Sequence, residues 1–122
     1  IAWPRECRPD EKLLDWANKE KNHVNLFHDP KAAVENADCV VTDTWVSMGS
    51  DDSNRHNLLS PFQVNKKLME NASPEAVFLH CLPAHRGEEV TSEVLDGPRS
   101  LVWDEAENRL HAQKAILLWC MT

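Results

Sequence analysis

The sequence contains little glycine: Gly49, Gly87 and Gly97 are its only three. A GxGxxG dinucleotide fingerprint and a Walker A phosphate loop each need several glycines within one turn. Three glycines this far apart satisfy neither pattern. Functions that depend on a dinucleotide loop or a P-loop are therefore excluded.

Clusters of basic residues and long apolar runs are also missing. The 13 Lys and Arg residues are outnumbered by 20 Asp and Glu, and the formal net charge is −7. An acidic chain without a basic patch lacks the electrostatic footprint of a nucleic-acid-binding protein. Apolar runs such as 115–118 are far shorter than the roughly 20 residues of a membrane helix. We therefore expect neither nucleic acid nor membrane as a partner.

The cysteines are few and widely spaced. Cys7, Cys39, Cys81 and Cys120 form no CxxC pair and are too sparse for a disulfide scaffold. We therefore expect reduced thiols, no metal site and a cytoplasmic location.

Short apolar runs alternate with helical patterns along a chain whose length suits one domain. This alternation predicts an α/β fold with a doubly wound, mostly parallel sheet flanked by helices, Rossmann-like but without a dinucleotide site. The predicted strands are 37–42, 76–82 and 100–103, with weaker candidates at 1–3 and 24–27. The predicted helices begin near Asp10 and Asp29 and cover 62–71, 91–96 and 108–120. Ser60, Pro61 and Gln63 suggest a capping box for the 62–71 helix.

Polar side chains follow the predicted strand at 37–42, at the end where open α/β sheets bind ligands. Asp43, Ser47 and Gly49 provide a carboxylate, a hydroxyl and a glycine turn there. This set suits the ammonium and carboxylate groups of an amino acid. The residue types alone slightly favour an ordinary loop in which Asp43 caps backbone amides.

Cys81 lies near the end of the predicted strand at 76–82, beside a tight turn in which Pro83 could adopt a cis bond. Most free cysteines are buried small apolar residues, so residue type alone favours a structural role. A Cys/His nucleophile pair with His80 is disfavoured, because neighbouring strand residues point to opposite faces. Arg109, at the head of the last predicted helix, either pairs with Glu105 on the surface or points toward the strand ends. The sequence alone favours the pairing with Glu105.

Three segments resemble ornithine carbamoyltransferases in content and order: DTWVSMG at 43–49, HCLP at 80–83 and AENRLHAQKA at 106–115. The resemblance spans most of the chain from Ala37 onward and is poorer around 5–8. SMG and HCLP are specific signatures, because aspartate carbamoyltransferases typically have HPLP where this chain has HCLP.

The resemblance implies transfer of the carbamoyl group of carbamoyl phosphate to the δ-amine of L-ornithine, giving L-citrulline and phosphate in arginine metabolism. It implies no metal or organic cofactor, these two small-molecule substrates, and a homotrimeric full-length enzyme. The δ-amine must lose a proton although such an ammonium has a pKa of about 10.4. The carbonyl oxygen must be stabilised as it becomes anionic.

The resemblance also implies two groups of site residues. The group expected to hold the amino-acid end of ornithine is Asp43, Ser47 and the backbone of Met48. The group expected at the reacting atoms is Cys81 and the carbonyl of Leu82 near the δ-amine, with Arg109 donating to the carbamoyl oxygen.

The family's carbamoyl-phosphate domain, with its STRT loop and HPxQ segment, has no counterpart in the sequence. We therefore expect residues 1–122 to form an ornithine-binding domain, truncated at its N-terminal side and inactive alone. Three alternatives stay open. They are a noncatalytic amino-acid-binding regulatory domain, a carbamoyltransferase with a related amino acid substrate, and a cysteine-dependent hydrolase acting through Cys81.

Overall fold

The computed structural model describes residues 1–7, 9–19, 24–46 and 53–122. In chain order the elements are α1 (Glu11–Lys19), α2 (Pro30–Val34), β1 (Cys39–Thr42), α3 (Ser53–Leu59), α4 (Lys66–Met69), β2 (Val77–His80), α5 (Ser92–Leu95) and α6 (Val102–Met121). Short 3₁₀ turns cover Arg5–Cys7 and Ser60–Phe62. Helices thus alternate with parallel strands, and the predicted α/β class is confirmed.

β1 and β2 are adjacent parallel strands, paired from Cys39 opposite Val77 to Thr42 opposite His80. Both lie within the predicted strands at 37–42 and 76–82, whose outer residues do not join the ladder. The weaker candidates at 1–3 and 24–27 contribute a single parallel bridge between Ala2 and Phe27.

The predicted strand at 100–103 is wrong in extent. Ser100 forms one parallel bridge with Phe78, and α6 then begins at Val102 rather than at the expected residue 108. An apolar run this short fits a strand or the start of a helix equally well. Asp104 and Glu105 lie in the first turn of α6, where the positive end of the helix dipole favours acidic side chains.

The predicted helix at 62–71 shortens to α4, and its capping box does not form. The Ser60 hydroxyl donates to the carbonyl of Asn57, and the Gln63 amide donates to the carbonyl of Glu88. Asn65 is the actual cap, because its side chain accepts from the amide of Leu68 at 3.0 Å. The expected helix starts at Asp10 and Asp29 are confirmed, since their carboxylates accept from amides two residues later.

The core lies where β1 and β2 pack against the helices. Phe78 and Val102 are fully buried, and contact between β2 and α6 joins them to the same core. The buried apolar cluster comprises Val34, Val40, Val64, Leu68, Met69, Ala72, Ala76, Phe78, Val90, Val94, Leu95 and Val102. Ile116 and Trp119, farther along α6, are 58% and 80% exposed. Within the described ranges, no helix combines the length and apolar character needed to cross a bilayer.

Candidate active site

The parallel register places the residues after β1 and β2 at one edge of the sheet. Thr42 and His80 are the last paired residues, so Asp43 and Cys81 leave the sheet side by side. The Cys81 thiol donates to Oδ1 of Asp43 at 3.0 Å. The structure therefore brings together two of the residues that the sequence had placed at strand ends.

Asp43 is an ionised hydrogen-bond acceptor in this arrangement. Besides the thiol, Oδ1 accepts the backbone amide of Thr44 at 2.7 Å and the Thr44 hydroxyl at 3.1 Å. The hydrogen bond from Cys81, followed by that from the Thr44 amide, lowers the pKa of the Asp43 carboxyl. A carboxylate with several donors on one oxygen keeps the other oxygen for a cationic ligand group.

The Cys81 side chain is exposed, and its thiol is held in the protonated form. The hydrogen bond to Asp43, followed by burial, raises the pKa of the Cys81 thiol. Nucleophilic cysteines need the opposite setting, next to cations that lower the pKa. The carboxylate beside Cys81 therefore does not activate the thiol as a nucleophile, which disfavours the alternative of a cysteine-dependent hydrolase.

His80, the last residue of β2, and Cys81, the residue after it, lie in different environments: the first is buried and the second exposed. His80 is fully buried, and its Nδ1 accepts the backbone amide of Leu82 at 2.9 Å. This ring nitrogen is engaged by the backbone, whereas the thiol donates to Asp43. The expectation that these two neighbours do not converge on one ligand is confirmed.

Leu82 and Arg109 line the same cavity as Cys81, with a volume of about 590 Å³. Leu82 has φ +52° and precedes Pro83 through a cis peptide bond. Arg109 lies within α6 rather than at its head, and no described side chain forms an ion pair with it. The expected pairing of Arg109 with Glu105 is absent, because Glu105 instead accepts the backbone amide of His80 at 2.9 Å.

Ser47 and Met48, expected to hold the amino-acid end of a ligand, lie outside the described residues. Asp43, which was expected to act with them, lines a second cavity, of about 490 Å³, beside β1. Arg55 lines this cavity as well. Asp43 therefore borders one cavity and contacts Cys81, which borders the other.

The roles of two acidic residues near the site were missed by sequence reasoning. Glu105 holds the end of β2 from α6, and fully buried Glu89 contacts His80. Acidic residues in the first turn of a helix are a visible signal, but residue 105 preceded the predicted start of the last helix. Nothing in the local sequence distinguishes Glu89 from its exposed acidic neighbours.

One group of described residues has the composition of a metal site. Ligand atoms of His85, Glu88 and Glu89 lie within 4.8 Å of one another. Glu89, however, already accepts the His85 backbone amide at 2.5 Å and lies 3.2 Å from Nε2 of His80. These internal hydrogen bonds account for the cluster without an ion.

A family model described as aspartate/ornithine carbamoyltransferase, Asp/Orn binding domain, matches residues 1–120. The chain is 61% identical over 122 residues to an ornithine carbamoyltransferase of Nitrobacter winogradskyi, covering 99% of this chain and 40% of that protein. A relative of the same name from Bradyrhizobium diazoefficiens is 61% identical over 121 residues, covering 98% of this chain and 39% of that protein. The chain thus spans about two fifths of the length of these curated relatives.

Solved structures of ornithine carbamoyltransferases are also similar to this chain over most of its length. Ornithine carbamoyltransferase from Pyrococcus furiosus superposes with a TM-score of 0.85 at 52% identity, covering 93% of this chain and 38% of that one. The anabolic ornithine carbamoyltransferase from Campylobacter jejuni gives a TM-score of 0.88 at 33% identity, covering 98% of this chain and 41% of that one. The α/β fold is therefore shared along nearly the whole chain.

Proposed function

The chain belongs to the Asp/Orn-binding domain family of aspartate and ornithine carbamoyltransferases, and we propose that it is the ornithine-binding domain of an ornithine carbamoyltransferase. In the complete enzyme, the neutral δ-amine of L-ornithine attacks the carbonyl carbon of carbamoyl phosphate. In the tetrahedral intermediate the C–O bond to phosphate breaks, the departing phosphate takes up the proton lost by the δ-nitrogen, and L-citrulline remains. The ornithine carbamoyltransferases to which the chain is 61% identical and the HCLP segment at 80–83 favour ornithine over aspartate.

The contact between Asp43 and Cys81 is the observation that carries this proposal. Asp43 provides an ionised carboxylate for the α-ammonium group of ornithine, and Cys81 provides a protonated thiol beside it. The thiol sulfur and the carbonyl of Leu82 are hydrogen-bonding groups for the δ-amine. They orient the neutral amine, the only form with a lone pair for attack.

Arg109 is assigned to stabilise the negative charge that develops on the carbamoyl oxygen. Its guanidinium stays protonated at any working pH and lines the same cavity as Cys81. A donor with no ion-pair partner among the described residues is available to the carbamoyl oxygen as that oxygen becomes anionic. The assignments of Ser47 and Met48 to the amino-acid end of ornithine rest on the resemblance of the SMG segment.

The remaining parts of the proposal concern the whole protein. The carbamoyl-phosphate site belongs to a second domain, so the 122-residue chain should bind ornithine weakly and produce no citrulline. The complete enzyme is proposed to be a cytoplasmic homotrimer that acts in arginine metabolism.

The proposal is tested by comparing the 122-residue chain with the complete polypeptide. We expect citrulline only from the complete polypeptide, and no carbamoylation when aspartate replaces ornithine. Asp43→Asn should raise the KM for ornithine about tenfold or more, because a charge-assisted bond to the α-ammonium is lost. The matched control is Asp38→Asn, at an exposed residue before β1.

Three results would contradict the proposal. Carbamoylation of aspartate by the complete polypeptide would indicate a related transferase. Tight ornithine binding without citrulline would indicate a regulatory domain. Citrulline production by the 122-residue chain would show that no second domain is needed.

A further inference from the structure

Two ionisable side chains are fully buried directly behind the turn that carries Cys81. His80 and Glu89 are each 0% exposed, and Nε2 of His80 lies 3.2 Å from Oε1 of Glu89. A buried carboxylate is unfavourable unless donors compensate for the lost hydration. Oε1 of Glu89 has a second donor in the His85 backbone amide, at 2.5 Å. The proposed reaction assigns no role to either of these buried side chains.

The other nitrogen of the His80 ring holds the turn. The Leu82 amide donates to Nδ1 at 2.9 Å, so this nitrogen acts as an acceptor. A neutral imidazole with an acceptor Nδ1 carries its proton on Nε2, which here faces Glu89. The Glu89 carboxylate therefore favours the tautomer that can hold Leu82. Because Nδ1 is occupied, His80 does not serve as a base for the thiol.

The turn requires such a support, because Leu82 adopts φ +52°. The left-handed region is disfavoured for a leucine, so surrounding contacts must maintain it. The residue before it, Cys81, directs its thiol to Oδ1 of Asp43. The orientation of the Leu82 peptide therefore decides where the Cys81 thiol and the Leu82 carbonyl point.

Both buried residues are themselves anchored by neighbouring segments. The Val64 amide donates to the Glu89 carbonyl at 2.8 Å, and the His80 amide donates to Oε2 of Glu105 on α6 at 2.9 Å. A third titratable side chain also faces Glu89: Nδ1 of His85 lies 3.7 Å from Oε2 of Glu89. The pair is thus fixed relative to β2, α6 and the segment around residue 64.

From this geometry we propose that His80 and Glu89 are positioning residues for the active-site turn. Glu89 sets the tautomer of His80, and Nδ1 of His80 then holds the Leu82 amide so that the thiol and the Leu82 carbonyl face the ligand. The effect on turnover rests on the proposed carbamoyltransferase function, whereas the effect on the thiol does not.

Two substitutions, each of which keeps a hydrogen-bonding group near one ring nitrogen of His80, separate the two contacts of this side chain. In His80→Asn, the side-chain oxygen takes about the place of Nδ1 and can still accept from Leu82. In His80→Gln, the side-chain nitrogen takes about the place of Nε2 and can still donate to Glu89. Both variants remove the buried ring, so their melting temperatures should fall by similar amounts. A purely structural role of His80 predicts equal behaviour of the two variants.

The first readout is the alkylation rate of Cys81 in the complete polypeptide, with iodoacetamide at pH 8 and peptide mapping to separate it from the other cysteines. When the turn loosens, the hydrogen bond to Asp43 is lost and the thiol pKa falls toward its ordinary value. We expect His80→Gln to react about threefold to tenfold faster than wild type, since one pKa unit changes the thiolate fraction tenfold. His80→Asn should stay close to wild type.

The second readout is steady-state turnover. We expect His80→Gln to lower kcat about tenfold to a hundredfold with a smaller change in the KM for ornithine, because misplacement by about 1 Å is that costly. His80→Asn should retain most of kcat. Equal alkylation rates and equal kcat in the two variants would overturn the proposal. If the wild-type polypeptide makes no citrulline, a difference in alkylation still supports positioning while the transferase function fails.

A third measurement needs no variant. In wild-type protein, ¹⁵N-resolved NMR of the histidine rings should show His80 as the neutral tautomer protonated at Nε2. A proton on Nδ1, or a doubly protonated ring at neutral pH, would contradict the acceptor role on which the proposal depends.

Discussion

The Cys81 thiol donates a 3.0 Å hydrogen bond to Oδ1 of Asp43, although 38 positions separate the two residues in the chain. The contact exists because β1 and β2 are adjacent parallel strands that end at the same edge. It affects both partners in opposite directions, lowering the pKa of the carboxyl and raising that of the thiol. The pair is therefore an ionised acceptor beside a protonated donor at neutral pH.

Replacing Cys81 with alanine tests the role of the thiol at the reacting atoms. In the complete enzyme, we expect Cys81→Ala to lower kcat on the order of a hundredfold, as for the loss of a hydrogen-bonding catalytic group. The free energy of unfolding should change by no more than about 0.5 kcal/mol, because the side chain is exposed. Steady-state kinetics and denaturant unfolding measure the two effects. Cys39→Ala, at another exposed cysteine, is the control, and near-normal turnover of Cys81→Ala would remove this residue from the mechanism.

Removing the charge of Asp43 should make the thiol more acidic. Asp43 raises the Cys81 pKa through its hydrogen bond and its negative charge, so Asp43→Asn should shift that pKa downward. The pH profile of Cys81 alkylation would then move to lower pH, and the rate at pH 8 would rise. Asp38→Asn should leave the profile unchanged. A profile of Asp43→Asn that matches wild type or moves to higher pH would show that the carboxylate does not hold the thiol.

Truncating Phe78 tests the core that supports both strand ends. Phe78 is a fully buried member of the apolar cluster, so Phe78→Ala should lower the free energy of unfolding by about 3–5 kcal/mol. Val41→Ala in β1 is the matched control, since Val41 is 63% exposed in this chain. We expect a loss of less than about 1 kcal/mol there. Equal losses in denaturant titrations of the 122-residue chain would show that β2 does not anchor the fold as described.

Sequence reasoning succeeded where the signal was local. The apolar runs around Val40 and Phe78 predicted β1 and β2, and the caps at Asp10 and Asp29 predicted α1 and α2. It failed where tertiary contacts override a local pattern. Gln63 fits a capping box in sequence, but its amide reaches the carbonyls of Gly87 and Glu88 instead. Val102 is a second such residue. The short apolar run around it predicted a strand, but Val102 is the buried first residue of α6.

The sequence by itself determined the α/β class, the order of the two central strands, and the strand ends at which Asp43 and Cys81 lie, because periodicity and turn residues act over a few positions. Only the tertiary structure decided that these two residues share a hydrogen bond, that His80 joins Glu89 rather than Cys81, and that Glu105 holds the end of β2. The physical reason is that strand register and side-chain burial depend on packing between segments far apart in the chain. A hydrogen bond across 38 or 25 positions leaves no trace in the local pattern of either partner.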